Sequence, residues 1–489
     1  MTDDLLSRLA DAGADVQAPS DLEARAAARY RVHTRRRRAA AGAGVAAVLA
    51  VGALAVPSVL DALRPAEAPV IGEGDALPTP TATPTFPRER NVGIDVMPHV
   101  DLDAVPVDGG SWEVLPPFAP DGLQRTHAAV WADDRLIVVA GDVEVGGDPF
   151  RLHVLDPTTE TWTEVPTPEG DGRSWDHVLW TGDQLVVLGG AIDEEPDPDI
   201  PPTDPTVAGY AWAPATGDWT VVPPAPLAPR LASSAVWTGA EVVVWGGLEP
   251  PTTDAAGTSR QPGLADGAAL DPTTGTWRPI ADAPIAGRGE HGAVWNGHRM
   301  VVFAGGSAAA GYESEGFLTE TFDDAAVYDP TTDAWATIAS PGLRGPVVAA
   351  VWTGSEVVTW TNRIGADAGM SAGLPGIVWD PTTGERRELQ EPPFGQHRDT
   401  VEAVWAPELG DVVVFGGSCG EGCNRAYDDG ARVDVATGSW SASPPLDGAT
   451  GHGPRVAWDG TRLLVVGGTT DPQGDPSSTT GRVVAWVPR

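Results

Sequence analysis

The architecture is inferred from two pieces of sequence, Ala293-Val-Trp-Asn-Gly-His-Arg-Met-Val-Val-Phe-Ala-Gly-Gly306 and Ala325-Ala-Val-Tyr-Asp-Pro-Thr-Thr-Asp-Ala-Trp335. Asn-Gly favours a tight hairpin, β-branched and aromatic runs favour strands, and Asp-Pro begins a turn. The pattern therefore predicts four short antiparallel strands: Ala293–Trp295, Arg299–Ala304, Ala326–Tyr328 and one that begins at Trp335. Such a unit has two apolar faces and needs copies of itself on both sides.

The copies are present along the chain. The tryptophan that ends the first strand recurs at steps of 49 to 58 residues, as Trp131, Trp180, Trp237, Trp295, Trp352, Trp405 and Trp458. The third-strand turn recurs as Asp-Pro-Thr-Thr at Asp156, Asp271, Asp329 and Asp380, and in altered form at Ala213 and Asp434. Fourth-strand tryptophans follow at Trp162, Trp219, Trp277, Trp335 and Trp440, while Arg386-Arg387 stands near this place in the fifth copy.

At these residues the sequence resembles the kelch family, whose repeat has about this period and whose members fold as β-propellers. The seventh copy has three strands and ends at Arg489, whereas Ser111-Trp-Glu-Val-Leu-Pro-Pro117 looks like a fourth strand without the other three. The resemblance therefore implies an all-β fold, a seven-bladed kelch-type propeller over residues 111–489, closed by this N-terminal strand. Closure would remove exposed strand edges.

Charge is distributed unevenly over the chain. The net charge is −37, all 31 basic residues are arginine, and residues 65–489 hold 22 arginines against 61 acidic residues. A strongly acidic domain disfavours nucleic acid and anionic lipid as partners. We therefore expect no nucleic-acid partner, and the simplest role of the acidic excess is the solubility of an exported domain.

The N-terminal region is predicted to contain one membrane-spanning helix. Residues 1–38 are predicted to form a cytoplasmic helical segment that ends in Arg35 to Arg38. Residues 39–60, from Ala39 to Leu60, contain no charged residue. Twenty-two residues at a rise of 1.5 Å span about 33 Å, enough for a hydrocarbon core of about 30 Å. The arginines then place the N-terminus in the cytoplasm and the propeller outside the cell membrane.

Two alternatives to an uncleaved anchor stay open. Ala53-Leu-Ala55 resembles a signal-peptide cleavage site, although the leader before the apolar core is long for that class, and the helix could instead be buried in protein. Residues 61–110 are interpreted as a stalk and lead-in, because the Pro- and Thr-rich part favours an extended chain that cannot pack a core.

Candidate ligand-binding residues stand near the starts of the first strands. They are Arg125, Arg173, Arg230, Arg288, Arg344 and Arg398, with His127, His177, His291, His397 and His452 nearby. By the kelch resemblance these ends and the long loops after the second strands share one face. Guanidinium groups there could hold an anion or a carboxylate-rich peptide. The alternative is that these residues brace the repeats through hydrogen bonds to loops.

Other candidate sites are less specific. Cys419 and Cys423 are the only cysteines, and export favours a disulfide between them. Acidic pairs such as Asp323-Asp324 could bind calcium but fit solvated surface better, and the histidines lack the close spacing of a metal site. Some kelch-like propellers carry a copper radical site with a Tyr–Cys cross-link, which this arrangement of cysteines does not favour. No catalytic residue, cofactor or metal is predicted.

The sequence thus predicts a membrane-anchored, extracytoplasmic propeller that binds a peptide, a glycan or a cell-envelope ligand through its loop face. One alternative is an exported enzyme whose site is built from the long loops of that face. Another is a sensor that couples the propeller to a cytoplasmic partner through residues 1–38. Kelch propellers serve many roles, so the fold alone does not choose among these.

Overall fold

The fold was analysed in a computed structural model of the chain. The structure describes residues 106–119, 124–142, 150–168, 175–189, 207–254, 258–312, 318–361, 376–390, 392–393, 400–418, 427–446, 453–468 and 481–489, all within the unit Ile94–Arg489. The predicted membrane helix over residues 39–60 and the segments 1–38 and 61–105 lie outside these residues.

Seven antiparallel sheets of four strands repeat along the described chain. Sheets one and two are β2–β5 (Gln124–Ala132, Arg135–Asp142, Arg151–Asp156, Thr161–Val165) and β6–β9 (Trp175–Trp180, Leu185–Gly189, Ala208–Ala213, Asp218–Val222). Sheet three is β10, β11, β14 and β15 (Ser234–Trp237, Val242–Trp245, Gly267–Asp271, Thr276–Pro279), and sheet four is β16, β17, β20 and β21 (Gly292–Trp295, Met300–Phe303, Ala325–Asp329, Ala334–Ile338). Sheets five and six are β22–β25 (Val347–Trp352, Val357–Thr361, Ile377–Trp379, Arg386–Glu388) and β26–β29 (Thr400–Ala406, Asp411–Ser418, Gly430–Asp434, Trp440–Ala442). In each of these sheets the four strands are hydrogen-bonded in chain order.

The seventh sheet joins the two ends of the described chain. Its strands are β30–β32 (Arg455–Trp458, Leu463–Val466, Val483–Val487), and its fourth strand is β1 (Ser111–Leu115). β1 pairs antiparallel with β32 over five residues, from Ser111 opposite Val487 to Leu115 opposite Val483. The N-terminal strand that the sequence showed without a sheet of its own therefore occupies the missing place in the last copy.

An eighth sheet was not predicted. It consists of β12 and β13 (Thr252–Thr253, Ser259–Gln261) and β18 and β19 (Gly306–Tyr312, Glu320–Thr321), which belong to the loops after the second strands of sheets three and four. β13 pairs with β18, so the two loops are joined by backbone hydrogen bonds. Alternation in short polar loops is too weak to predict such pairing.

The core lies between neighbouring sheets. The second strands are buried along their whole length, as in β11, β17 and β31, because both of their faces are covered. Among the described residues, seven hydrophobic clusters each combine side chains of two adjacent sheets, and one of them joins the seventh sheet to the first. Buried apolar area of this kind provides most of the folding free energy.

Hydrogen bonds from the fourth strands reinforce these clusters. The indole N–H of Trp162 donates to the carbonyl of Pro116 at 2.7 Å, and the indoles of Trp112, Trp219, Trp277, Trp335 and Trp440 donate to carbonyls of the preceding sheet in the same way. In the fifth copy a guanidinium replaces the indole: Arg386 Nη1 donates to the carbonyl of Pro341 at 2.6 Å. Each such bond ties the outer strand of one sheet to its neighbour.

Candidate functional site

The predicted site residues that the structure describes lie on the side of the sheets where first strands begin and second strands end, which we call the mouth side. Arg230, Arg288, Arg344, His127, His177 and His291 are described there. Arg125 lies in β2, but only its backbone is described. Arg173, Arg398, His397 and His452 fall outside the described residues, as do Cys419 and Cys423 with the disulfide predicted between them.

Arg230 is an internal residue. Its exposed fraction is 1%, and its guanidinium donates to the carbonyls of Ala228 at 3.0 Å and Gly246 at 2.9 Å. Nη2 lies 3.1 Å from the carboxylate of Asp266. The side chain thus fastens the loop before the first strand of sheet three to the loop after its second strand.

Arg288 repeats this arrangement one copy later. It has an exposed fraction of 0%, and it donates to the carbonyls of Ala286 at 2.9 Å and Ala304 at 3.0 Å. Nη1 lies 2.6 Å from the carboxylate of Asp324, and the guanidinium carbon lies 4.5 Å from the centroid of the Phe322 ring. The two arginines therefore share one role, in which the donors of a buried cation satisfy loop carbonyls and pair with one carboxylate.

Arg344 differs from these two residues. Its side chain is 61% exposed and forms an ion pair of 2.6 Å with Asp323, whose side chain is also about half exposed. Of the three predicted arginines whose side chains are described, Arg344 is the one that solvent reaches. Ligand binding by the predicted set of arginines and histidines stays a prediction. Near sheets three to five, Arg344 is the predicted arginine whose side chain a ligand can reach.

Histidine–serine contacts connect the first strands of neighbouring sheets. His177 Nε2 lies 3.0 Å from Ser233 Oγ, and His291 Nε2 lies 2.8 Å from Ser234 Oγ. Burial lowers the pKa of His177 to about 4 and that of His291 to about 3, so both rings are neutral at pH 7. A histidine with so low a pKa is a weak proton acceptor, and these pairs therefore suit a bracing role better than activation of the serine.

A second set of links lies on the first strands of sheets six, seven and one. Arg455 Nε donates to the carbonyl of His127 at 2.8 Å, and Arg455 Nη1 lies 2.6 Å from Glu402. Together with the histidine–serine pairs, these contacts place polar side chains along the inner strands of several sheets. They tie each of these sheets to the next one.

Glu290 has an unusual position at the mouth side. Its φ of 52° lies in the left-handed region, which residues other than glycine rarely adopt. Its N–H donates to the carbonyl of Ala232 at 3.2 Å, and its carbonyl accepts from the N–H of Val347 at 2.8 Å. The residue thereby links sheets three, four and five. Its side chain is exposed, and desolvation by the surrounding protein raises the pKa of the carboxyl.

The sequence did not predict the partners of the arginines and histidines, and Asp324 was considered there only as part of a possible calcium site. Asp266 and Asp324 stand 58 residues apart, the same step that separates Arg230 from Arg288, so the repeat itself carried a signal for the ion pairs. Ser233, Ser234, Glu402 and Arg455 had no such signal. No group of three or more metal-ligating side chains occurs among the described residues.

Comparison with known proteins identifies the repeat. Residues 126–357 match the model of the KLHDC2/KLHL20/DRC7 Kelch-repeats domain. A search of curated proteins finds no match. In the part of the chain that the structure describes, no helix is long and apolar enough to cross a membrane. The family match and the succession of small antiparallel sheets show that the chain contains a kelch-repeat domain with an all-β, propeller-like fold.

Proposed function

We propose that this protein is a binding module whose mouth side recognises a peptide, a glycan or a cell-envelope ligand outside the cell. Kelch repeats are generally protein-interaction modules, which supports the first part of the proposal. Extracytoplasmic location and membrane anchoring are proposed from the uncharged run over residues 39–60 and the arginines before it.

We further propose that the sheets are the seven blades of one closed ring. Three observations support this: the pairing of β1 with β32, the hydrophobic cluster between the seventh and first sheets, and the indole bond from Trp162 of the first sheet to Pro116 after β1. In such a ring the mouth side of all blades forms one face. A rigid scaffold that carries binding residues on its loops is a common arrangement for recognition.

The observation that carries the binding proposal is the rigid support of the mouth side at sheets three to five. The loop sheet β12–β13–β18–β19 joins two long loops, and buried Arg230 and Arg288 fasten the loops beneath them. Backbone bonds of Glu290 connect the same three sheets. This support holds the exposed Arg344 and Glu290 in fixed positions, and fixed groups lose less entropy when a ligand binds.

The experiment compares ligand capture by variants of the full chain. We expect the double variant Arg344→Ala and Glu290→Ala to capture fewer cell-envelope components than the wild type, with an unchanged melting temperature. Arg299→Ala is the matched control, because this exposed arginine pairs with Asp329 on the opposite side of sheet four. Equal capture by wild type and double variant would contradict binding at this part of the mouth side.

Topology is tested separately. Protease added to intact cells should digest the kelch-repeat domain and spare a tag fused to the N-terminus. Recovery of the tagged full chain in the soluble fraction would contradict the proposed anchor without bearing on the binding proposal.

A further inference from the structure

The segment before β1 docks on the outer edge of the sixth sheet. Val107 forms a parallel bridge with Ala442 of β29, and the bridge consists of two bonds: Asp108 N–H donates to the carbonyl of Ala442 at 2.8 Å, and Ala442 N–H donates to the carbonyl of Pro106 at 2.9 Å. Residues 106–110, which we call the strap, therefore extend sheet six before the chain enters sheet seven as β1.

Asp108 is the centre of a buried polar network beneath the strap. Its side chain has an exposed fraction of 0% and accepts from Arg432 Nε at 2.8 Å, and Arg432 also pairs with Asp411 of β27. The other carboxylate oxygen accepts from the backbone N–H groups of Gly110 at 2.7 Å and Arg489 at 2.9 Å. One carboxylate thus holds together the strap, sheet six and the residues that follow β32.

Further contacts make the same connection. Arg432 Nη2 donates to the carbonyl of Arg489 at 2.9 Å, so a sheet-six side chain contacts the residues beyond β32 directly. Gly110 passes so close to the chain after β32 that a Cβ on it would lie 2.1 Å from the carbonyl oxygen of Val487. At that distance the backbones would have to separate. The geometry requires glycine where the strap crosses the end of the sheet.

We propose that the strap is a lock on the seventh sheet. While it is docked, Asp108 and Arg432 hold β1 and the residues after β32 against sheet six. When it lifts, β1 is free to leave β32, and the domain opens locally between the sixth and seventh sheets. Local opening with a free energy below that of global unfolding is a general property of proteins, and the strap determines where it occurs here. The chain N-terminal to Pro106 is directly connected to this lock.

Loss of the Asp108 carboxylate is costly. Without its carboxylate, the N–H groups of Gly110 and Arg489 lose their acceptor and Arg432 keeps only Asp411 and the carbonyl of Arg489. Bonds to charged groups are among the stronger ones in proteins, and buried donors left without an acceptor are costly. All of these losses fall at the junction of sheets six and seven, so their effect should be local.

Hydrogen exchange followed by mass spectrometry on the full chain tests the proposal. Asp108→Asn keeps the size of the side chain and removes its charge. The amide oxygen can still accept from Gly110 and Arg489, but the amide NH2 then faces the Arg432 Nε donor, so the bond to Arg432 is lost. We expect exchange to become about tenfold faster or more in peptides covering β1, β29 and β32, and to stay within about twofold in β11 and β17. Asp134→Asn is the control, since this exposed carboxylate contacts only its neighbour Arg135 among the described residues.

A second variant avoids the buried charge. Ala442→Pro removes the N–H that donates to Pro106, and this N–H faces the strap, away from the partner strand β28. It should accelerate exchange in the same three strands. If Asp108→Asn does not fold, this variant decides the question. A uniform increase across all sheets, or an increase confined to residues 106–110, would overturn the proposal.

Discussion

Replacing Arg288 with alanine should strongly destabilise the domain without directly removing a ligand contact. The guanidinium is fully buried and donates to the carbonyls of Ala286 and Ala304, so its loss leaves the buried Ala304 carbonyl and the partly buried Ala286 carbonyl without these donors. A buried group left unsatisfied costs about 1 to 3 kcal/mol. Asp324 would also lose its partner, but its side chain is 47% exposed and can be rehydrated, so we assign it little of the cost.

The expected loss in the free energy of unfolding is therefore about 2 to 4 kcal/mol, from one buried acceptor and one partly buried acceptor left without a donor. Urea denaturation of the full chain, followed by tryptophan fluorescence, measures it as a shift of the midpoint. Arg288→Met provides a comparison, since methionine keeps part of the apolar packing of the arginine stem. Methionine should recover a minor part of the loss, because it restores none of the donors.

Arg344→Ala is the matched control for this experiment. The ion pair of Arg344 with Asp323 joins two half-exposed side chains, and such pairs contribute about 0 to 1 kcal/mol. A loss below about 1 kcal/mol for Arg288→Ala, or equal losses for the two variants, would refute the bracing role. Weaker ligand binding by Arg288→Ala at a temperature where it is fully folded would restore the prediction that this arginine contacts the ligand.

Three further predictions concern the histidine links, the indole bonds and a close contact. Because burial lowers the pKa of His291 from 6.5 to about 3, the unfolded chain binds this proton first, and stability should fall as the pH drops below about 6.5, by about 2 kcal/mol from this group at pH 5. Denaturation at pH 7 and pH 5 checks this, and His291→Gln should reduce the difference whereas His298→Gln, on an exposed hairpin, should not. Trp162→Phe keeps an aromatic ring but loses the indole N–H and the five-membered ring, so the free energy of unfolding should fall by at least about 1 kcal/mol, and no loss would contradict the role of the bond. Gly292→Ala should cost about 1 to 3 kcal/mol, because a Cβ there would lie 2.3 Å from the Phe303 ring, and a variant as stable as wild type would show that the ring can move aside.

The repeat made most of the fold predictable from the sequence. Strands near Ala293–Trp295 and Arg299–Ala304 are present within one residue of each predicted boundary, because hairpin dipeptides and glycines mark those boundaries locally. Ser111–Leu115 was predictable as a strand because the same pattern recurs in complete copies. Such signals accumulate over seven copies, so an ambiguity in one is resolved by the others.

The site was much less predictable, for a geometric reason. Sequence position puts Arg230 and Arg288 at the mouth side, but it does not say whether a side chain points outward or into the loops. That direction depends on the carbonyls of residues 16 positions later, which the backbone turns toward the guanidinium only in the folded state. The loop sheet and the strap depend on pairing between distant segments and carry no periodic pattern of their own.

The substitutions among the copies indicate where function and scaffold separate. In the fifth copy Arg386 replaces the fourth-strand tryptophan and still donates to a carbonyl of the preceding sheet. The repeat therefore keeps a bond between sheets while the residue that makes it changes. At the mouth side the bracing arginine is not kept in the fifth copy. Gly247 N–H bonds the carbonyl of Arg288, and the matching bond one copy later runs from Gly305 N–H to the carbonyl of Gly345, so glycine stands at this position and the exposed Arg344 precedes it by one residue. Because Arg344 does not occupy the bracing position, its guanidinium is exposed at the mouth side, where a ligand can reach it.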